Sequence, residues 1–511
     1  MPQHLIGIDL GTSYSSLSCL DDKFEARPIA NKEGESKTPS VVYFAKDGGG
    51  VVVGTNALAP GFSRPERFVS HAKRFLGRPD ISWEIDGVFY SPTDISALIL
   101  GKLIRDAEKE LGKITDAVVT VPAHFGDHQR KETIKAGQQA GLKTVHLLNE
   151  PVAAALSFAL GSGGREMLYL HDNCTILIYD LGGGTFDLSL VRFDQTQLRV
   201  LATSGELMLG GLDWDQRLID RFVKTFRIMH GVDLSTARHS KSLRRLAQQL
   251  ESAKRRLSDS AIETTELLFQ HAGREAEYQI NRAEFELETT DLVERTYVLT
   301  EDVLKAAGMT WKEVDSIIPV GGSTRMPMIG RLIERLSNRG PSIESLSPDI
   351  AVSMGAALYA GILGGRDTGG LILDHAQITP LSGFQTEMVL GQTLGILVRN
   401  ENDQLESHPL IRRDTPLPAI AQVAVTTIKP SQSVVRLKIV EGEGRDYEES
   451  AIVCVCELRD LPPNLPEGSL FDVEVSYDTQ GLLQVIAKHR KSGRLASIST
   501  VRQTTERTAN A

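Results

Sequence analysis

Two short segments decide the fold of this chain, GIDLGTSYSS at 7–16 and LIYDLGGGTFDLSLV at 177–191. Each consists of an apolar run, an Asp at its end, a glycine turn, a Thr and a second strand-like run. This order predicts a β-hairpin with the glycines in its turn. Because the pattern occurs twice, we expect two similar lobes whose Asp residues and glycine turns converge on one cleft.

The two glycine turns suit the binding of a polyphosphate. A glycine leaves backbone N–H groups unshielded, so a phosphate oxygen can approach closely. Hydroxyl groups beside the turns add donors, and carboxylates at the strand ends could hold Mg²⁺ through its water molecules. The residues concerned are Gly11, Gly182, Gly183 and Gly184 in the turns, the hydroxyl residues Thr12, Ser13 and Thr185, and the carboxylates Asp9 and Asp180. One Asp-Gly turn is weak evidence, whereas two matching turns are much harder to dismiss.

The composition is that of an ordinary globular protein. The chain has 511 residues, 41% hydrophobic and 24% charged, which is enough for three or four domains or for fewer large ones. Its formal net charge of −10 disfavours a general nucleic-acid or anionic-membrane surface, so we expect neither as a partner. Only four Cys are present, which argues against a disulfide framework and favours a reducing compartment.

The apolar stretches indicate a soluble, cytoplasmic protein. The first residues, MPQHLIGIDL, contain no basic leader. The longest charge-free stretch, 350–365, is rich in Gly and Ala and is shorter than a membrane span. We therefore expect no membrane segment.

Hydrophobic periodicity predicts an α/β domain over residues 1–365. Short β-branched runs such as TILIYDL alternate there with helical patterns, which is typical of an α/β architecture. The helical patterns cover 127–140, a long charged stretch from about 214 to 257, and 282–307.

An all-β domain is expected over 393–501. From about Leu394 the hydrophobic period changes to two, and the DTQG turn at 478–481 marks a hairpin. Residues 366–392 are then a linker with a possible insertion, and 502–511 a disordered tail.

Eight segments, taken in order, resemble the seventy-kilodalton heat-shock chaperone family (DnaK-like). They are GIDLGTSYSS (7–16), AKRFLGR (72–78), VTVPAHFGDHQR (119–130), LLNEPVAAALSFAL (147–160), YDLGGGTFDLSLV (179–191), GELMLGGLDWDQR (205–217), ESAKRRLS (251–258) and VGGSTRMPMI (320–329). The resemblance implies an actin-like, two-lobed α/β ATPase domain that binds ATP or ADP with Mg²⁺. A linker and a β-sandwich that holds extended hydrophobic peptides would follow.

The resemblance also implies roles for residues around the phosphates. Lys73 matches a lysine that positions the attacking water, and Glu150 matches an acid near the Mg²⁺ waters. Without the match, Lys73 would be a surface lysine and Glu150 an acid that starts a helix. The remaining matches are Asp9, Thr12, Ser13 and Tyr14 in the first hairpin, and Asp180, Thr185 and Asp187 in the second.

Recognition of the nucleoside is assigned in the same way. A helix is expected to present four of these residues on one face, although by pattern alone they would form a solvated charged face. The set implied by the resemblance is Gly210, Gly211, Glu251, Lys254, Arg255, Ser258, Gly321, Gly322, Ser323, Arg325 and Asp349.

Communication between the domains is implied for residues in the ATPase domain and the linker. The matching positions are Pro122, Arg130, Leu371, Leu373 and Asp374. His146 stands where many family members carry an Arg that docks a J-domain co-chaperone, which leaves the identity of that partner open.

The predicted β-domain contains candidate peptide-binding residues, and the sequence ends soon after it. Alternation along the strands makes Leu394, Ile396, Val435 and Leu437 candidates for the peptide cleft, with ordinary sandwich core as an equal alternative. The cysteines Cys454 and Cys456 are interpreted as buried core. Because few residues follow Val501, we expect a short member without the helical lid, and hence faster peptide exchange.

The leading hypothesis is an ATP-dependent chaperone that binds and releases unfolded polypeptides. A J-domain co-chaperone and a nucleotide exchange factor are the expected partners, and the chain is expected to be a monomer. Two alternatives are an actin-fold sugar kinase, which would need a carboxylate base beside a substrate pocket, and a non-catalytic nucleotide-binding regulator.

Overall fold

The computed structural model describes residues 6–21, 25–46, 49–160, 174–193, 197–236, 239–338, 349–367, 384–399, 404–442, 451–459 and 461–501. The chain divides into two compact units. The first contains Met1–Ala123 and Thr133–Thr386, and the second His124–Glu132 and Glu387–Ala511.

Among the described residues, eighteen strands precede residue 388. They are β1 (Ile6–Asp9), β2 (Tyr14–Leu20), β3 (Ala26–Pro28), β4 (Thr38–Pro39), β5 (Val41–Phe44), β6 (Val51–Val53), β7 (Phe68–Ser70), β8 (Trp83–Ile85), β9 (Val88–Tyr90), β10 (Asp116–Val121), β11 (Thr144–Asn149), β12 (Cys174–Leu181), β13 (Phe186–Phe193), β14 (Gln197–Glu206), β15 (Thr264–His271), β16 (Arg274–Asn281), β17 (Ser316–Val320) and β18 (Gln385–Glu387).

Helices occur between these strands. They are α1 (Thr55–Ser63), α2 (Pro92–Leu111), α3 (Asp127–Gln139), α4 (Glu150–Leu160), α5 (Gly211–His230), α6 (Ser240–Leu257), α7 (Arg282–Glu288), α8 (Thr290–Ala306), α9 (Pro327–Ser337) and α10 (Ala351–Asp367). The charge-free stretch at 350–365 is thus almost entirely helix α10. No helix among the described residues is long and apolar enough to cross a membrane.

The first unit contains two sheets with the same central motif, as the repeated sequence pattern predicts. One sheet has the order β11-β10-β1-β2-β3, and the other β17-β12-β13-β14-β18. In each, an antiparallel hairpin, β1–β2 or β12–β13, has a parallel strand beside its first member, β10 or β17. The registers place Asp9 opposite Ser16 and Asp180 opposite Asp187. The repeated hairpin motif predicted from the sequence is confirmed.

Two glycines allow α10 to pack closely in the first unit. A Cβ on Gly355 of α10 would lie 1.7 Å from the carbonyl oxygen of Ala153 in α4. A Cβ on Gly7 in β1 would lie 2.1 Å from the backbone nitrogen of Ala357. Helix α10 therefore fits tightly against both α4 and the first sheet, which is possible only where side chains are missing.

Two of the long helical patterns are each divided in the structure. The stretch from 214 to 257 contains α5 and α6, because Gly231 adopts a left-handed conformation (φ 68°) that ends α5. The stretch 282–307 contains α7 and α8, which meet at Thr289. The hydroxyl of Thr289 donates to the carbonyl of Phe285, 2.9 Å away, and so binds the last turn of α7.

The second unit consists of two antiparallel sheets around a shared core. Its strands are β19 (Leu394–Arg399), β20 (Leu405–Ile411), β21 (Ala419–Thr426), β22 (Val435–Glu441), β23 (Ala451–Arg459), β24 (Leu470–Tyr477), β25 (Leu483–His489) and β26 (Ser497–Val501). The sheets have the orders β20-β19-β22-β23-β26 and β21-β24-β25, and the core contains residues of both. Beyond residue 387 the described residues form no helix, as the two-residue period predicts.

The turn between β24 and β25 shows why this sequence forms a hairpin. Asp478 accepts hydrogen bonds from the backbone nitrogens of Gln480 and Leu482 through Oδ1, at 2.8 and 3.0 Å. Gly481 supplies the positive φ, 71°, that the turn requires. The predicted turn at 478–481 is confirmed.

The four candidate peptide-binding side chains are buried in the core of the second unit. Leu394, Ile396, Val435 and Leu437 are between 0% and 9% exposed. This burial agrees with the alternative of ordinary sandwich core, and a role in peptide binding stays a prediction. Cys456 is buried as expected, whereas the side chain of Cys454 and residues 502–511 lie outside the described part of the chain.

Candidate functional site

A cavity of about 800 Å³ in the first unit is lined by both glycine hairpins. It brings together residues from widely separated parts of the sequence, as the convergence of two lobes predicts. Of the expected site residues, those that line it are Asp9, Gly11, Thr12, Ser13, Tyr14, Lys73, Glu150, Asp180, Gly182, Gly183, Thr185, Gly211, Glu251, Lys254, Arg255, Ser258, Gly321, Gly322, Ser323, Arg325 and Asp349. Of the residues expected at the nucleotide site, Gly184, Asp187 and Gly210 do not line the cavity.

The two hairpin turns approach so closely that side chains are excluded between them. A Cβ on Gly183 would lie 2.1 Å from Oγ of Ser13, and one on Gly184 would lie 2.5 Å from Cγ2 of Thr12. Gly210 packs behind the second turn, where a Cβ would lie 2.6 Å from the backbone nitrogen of Gly184. The glycines therefore keep the backbone of both turns close to the same space, as a shared phosphate cradle requires.

Replacing Gly210 with Ala is expected to weaken nucleotide binding at least about tenfold. The added carbon would collide with the backbone of the second turn, which cannot move aside without shifting its N–H groups. Titration calorimetry with ADP measures the change. Gly330→Ala is the matched control, because no atom lies within 4 Å of the carbon added there. Equal affinities of the two variants would contradict the role given to the turn.

Lys73 and Glu150 form a buried ion pair in the cavity wall. Nζ of Lys73 donates to Oε1 of Glu150, and both side chains are less than a tenth exposed. Lys73 lies in a 3-10 helix at 72–75, preceded by His71 in a left-handed conformation (φ 58°). Glu150 is the first residue of α4 and follows β11 directly. The structure thus places Lys73 inside the cavity, which contradicts the surface alternative.

Three carboxylates of the cavity, Asp9, Glu150 and Asp180, have raised pKa values, chiefly because they are buried. Burial is the largest cause and raises the pKa of Glu150 to about 7, with Asp9 and Asp187 adding to the effect. Burial also raises the pKa of Asp9 and, more strongly, that of Asp180. For Lys73, burial lowers the pKa, but the nearby Glu150 and Asp9 outweigh it and raise the value overall. The site therefore holds more acidic groups than the one lysine can neutralise, and a cation would be favoured there.

Asp187 supports the cavity wall. Its Oδ1 accepts a hydrogen bond from the backbone nitrogen of Ala123, at 2.8 Å, just after β10. Thr120 lies on β10 itself, and its hydroxyl donates to Oδ1 of Asp9 at 3.3 Å. These bonds join the end of β10 to the ends of both hairpins.

Helix α6 and the loop after β17 build another part of the cavity wall. Nζ of Lys254 donates to the carbonyl of Gly211 at 2.8 Å and lies 2.8 Å from Oδ1 of Asp215. The hydroxyl of Ser323 donates to the carbonyl of Gly182 at 2.9 Å. Lys254 therefore stabilises the start of α5 and is not a free surface charge. Its neighbour Arg255 is about half exposed and lines the cavity.

Sequence reasoning missed two cations of the site. Arg74 donates through Nε to the carbonyl of Gly184 at 2.8 Å and through Nη2 to Asp213 at 2.6 Å, so it holds the second hairpin. The position of Arg74 next to Lys73 in AKRFLGR could have indicated that it belongs to the site. Lys37 also lines the cavity and lies 3.0 Å from Oδ2 of Asp349, and no sequence pattern pointed to it.

Two of the five predicted relay residues, Pro122 and Arg130, are described by the structure, and their relay role stays a prediction. Arg130 belongs to the segment grouped with the second unit, where its Nη1 donates to the carbonyl of Gln480 at 3.1 Å. Pro122 is buried just after β10. The remaining predicted members, Leu371, Leu373 and Asp374, lie outside the described residues. His146 is a partly exposed residue of β11, and its effect on co-chaperone docking stays a prediction.

Comparisons with known proteins give one consistent result. A family model described as "Hsp70 protein" matches residues 5–86 and 78–510. A protein named "Chaperone protein DnaK" from Halobacterium salinarum is 35% identical over 502 residues, which cover 97% of this chain and 75% of that protein. Proteins of the same name from Thermus thermophilus and Thermotoga neapolitana are 36% and 37% identical, covering 98% and 97% of this chain and 80% of each relative.

Proposed function

Because the chain belongs to the Hsp70 family and is an ATP-dependent, DnaK-like chaperone, we propose that it hydrolyses ATP to ADP and phosphate in the cavity of the first unit. The observation that carries this proposal is the Lys73–Glu150 pair, buried in the same cavity as both glycine hairpins. A fixed cation and a carboxylate beside a phosphate cradle can stabilise developing charge and orient a water molecule.

Each group near the phosphates has a proposed task. The turn glycines and the hydroxyls of Thr12, Ser13 and Thr185 would bind phosphate oxygens. Lys73 would hold the attacking water and offset charge on the transferring phosphoryl group, and Glu150 would orient that lysine through their ion pair.

Mg²⁺ fits the donor set of this cavity when it is bound through water. Asp9, Glu150 and Asp180 provide only oxygen atoms, and burial raises the pKa of all three, so a nearby cation would stabilise their charged forms. Among the described residues no three acidic, His or Cys side chains form a group that could hold a metal ion, so direct coordination by all three is not supported. Mg²⁺ keeps much of its hydration shell, and it would neutralise charge on the phosphates.

The second unit is proposed to bind unfolded or extended hydrophobic polypeptide segments. Its two sheets alternate inward and outward side chains, which suits an arrangement that binds a peptide backbone along a strand. Leu394, Ile396, Val435 and Leu437 stay candidates for the side-chain pocket, although a ligand would first have to reach buried atoms.

Nucleotide and peptide binding are proposed to be coupled. Hydrolysis of ATP would raise the affinity for peptide. Bound peptide must then change the relative affinity for ATP and ADP by the same factor. A J-domain co-chaperone and a nucleotide exchange factor are the proposed partners, since the chain would need external control of hydrolysis and release. We further propose that it acts as a cytoplasmic monomer.

Peptide affinity is expected to be at least about tenfold weaker with ATP than with ADP. Fluorescence anisotropy of a labelled apolar peptide, with ATP, with ADP and without nucleotide, measures the difference. A labelled peptide of charged residues serves as the control ligand and should not bind in any state. Equal affinities with ATP and ADP would reject the coupling while leaving the ATPase proposal intact.

The comparisons do not favour the two alternative functions. A sugar kinase would need a separate carboxylate base beside a sugar pocket, and it would leave the all-β second unit without a purpose. Measuring ATP consumption with candidate sugars and no peptide separates the two classes. A non-catalytic regulator would show nucleotide binding without turnover.

A further inference from the structure

Lys37 is attached to the first phosphate hairpin by the strand that follows it. Strand β4 pairs with the start of β2, with Thr38 opposite Ser15. Beyond β4, Ser40 donates through its backbone nitrogen to the carbonyl of Ser13 at 2.9 Å and through Oγ to the carbonyl of Gly11 at 2.8 Å. These bonds hold the segment after Lys37 beside the hairpin, and so they keep Lys37 at the cavity wall.

In the first unit, the part built around β1, β2 and α10 is here called the first lobe, and the part built around β12, β17 and α6 the second lobe. The ammonium group of Lys37 contacts two side chains of the first lobe. Its Nζ lies 3.0 Å from Oδ2 of Asp349 and 5.2 Å from the centre of the Tyr14 ring. Asp349 stands just before α10, the helix that packs on β1, and Tyr14 is the first residue of β2. Lys37 can therefore hold both side chains through an ion pair and a cation–π interaction.

Each of these two side chains also contacts an arginine of the second lobe. Asp349 accepts from Nη2 of Arg325, in the 3-10 helix after β17, at 3.0 Å. The hydroxyl of Tyr14 accepts from Nη2 of Arg255, in α6, at 3.1 Å, and the guanidinium carbon lies 5.5 Å from the ring centre. Two contacts thus join the lobes at the cavity, Asp349 with Arg325 and Tyr14 with Arg255. Lys37 contacts both Asp349 and Tyr14.

We propose that Lys37, Asp349 and Tyr14 form a latch with Arg255 and Arg325 that slows the release of nucleotide, and that Lys37 is its positioning residue. The inference rests on the proposed binding of ATP and ADP in this cavity. Both arginines are more than half exposed, so each bond they form must overcome the conformational freedom of a long side chain.

Lys37 holds the side chains of Asp349 and Tyr14 in place, and this lowers the entropy lost when the two arginines bind them. Lys37 and Arg325 share the Asp349 carboxylate, and their mutual repulsion works against this effect. The latch requires that the cation–π contact with Tyr14 and the restraint on two side chains exceed this repulsion, which screening weakens at a partly exposed position. Loss of Lys37 therefore opens the latch more often.

The test measures release of a fluorescent ADP analogue from the 511-residue chain after rapid mixing with excess unlabelled ADP. Lys37→Met is expected to release it about three- to tenfold faster than the unchanged protein, from the size of exposed ion-pair and cation–π effects. Lys37→Arg should retain the slow rate. Lys32→Met is the matched control, because Lys32 is an exposed lysine of the same loop that does not line the cavity.

A second variant separates the latch from a general effect on the fold. Asp349→Asn should also speed release, and the effect of the double variant with Lys37→Met should be smaller than the product of the two single effects, because both variants act on the Asp349 contact. A release rate of Lys37→Met that is unchanged or slower, or effects that multiply in the double variant, would overturn the latch. Failure of the unchanged protein to bind the ADP analogue would instead reject the proposed function.

Discussion

The Lys73→Ala variant is expected to hydrolyse ATP at least about 10²-fold more slowly than the unchanged protein. The lysine is the buried cation nearest the three carboxylates, and its removal takes away both the group that would hold the water and its share of charge stabilisation. Single-turnover measurement of phosphate formation, with saturating protein, separates this loss from any change in affinity.

Lys102 provides a matched control for the removal of a buried, ion-paired lysine. Its Nζ lies 2.7 Å from Glu33 and 2.6 Å from Asp106, and it does not line the cavity. Lys102→Ala should therefore lower the free energy of unfolding but leave the turnover of the folded protein unchanged. If Lys73→Ala hydrolysed ATP as fast as Lys102→Ala, the proposed role of Lys73 would be wrong.

The Gly355→Ala variant is expected to lose at least about 2 kcal/mol of unfolding free energy in the first unit. The added carbon would lie 1.7 Å from the carbonyl oxygen of Ala153, an atom of the helix backbone that cannot rotate away. Helices α4 and α10 would have to separate, and Glu150 at the start of α4 would move with them. We therefore expect a loss of ATP turnover to accompany the loss of stability.

Denaturant unfolding, followed through the transition of the first unit, measures this change. The control is Gly330→Ala in α9, where the added carbon meets no atom within 4 Å. That variant should be neutral or more stable by up to about 1 kcal/mol, because Ala favours the helix. Equal stability of the two variants would show that α4 and α10 can separate at little cost.

The local patterns of the sequence were sufficient to predict the elements that carry the site. An Asp followed by glycines can adopt few structures other than a turn between strands, so both hairpins followed from their residues alone. The period of two beyond residue 394 similarly predicted the strands of the second unit, and DTQG at 478–481 its hairpin. Each of these features depends on neighbours in the chain.

Features that depend on contacts between distant residues could not be predicted in this way. The charged face of α6 was ambiguous until Lys254 was found against the carbonyl of Gly211. Breaks within a helical pattern were missed for a different, local reason: the apolar spacing at 214–257 and 282–307 continues across the left-handed Gly231 and across Thr289.

The sequence by itself therefore determined the two hairpins, the change from α/β to all-β structure and, through its motifs, the family. Only the tertiary structure decided which charges the cavity combines: Lys73 with Glu150, Arg74 with the second hairpin, and Lys37 with Asp349 and Tyr14. The physical reason is that a hairpin or a period arises from bonds between near neighbours. An ion pair across a cavity exists only when packing, here the glycine-lined contact of α4, α10 and β1, brings residues far apart in the chain to within a few ångströms.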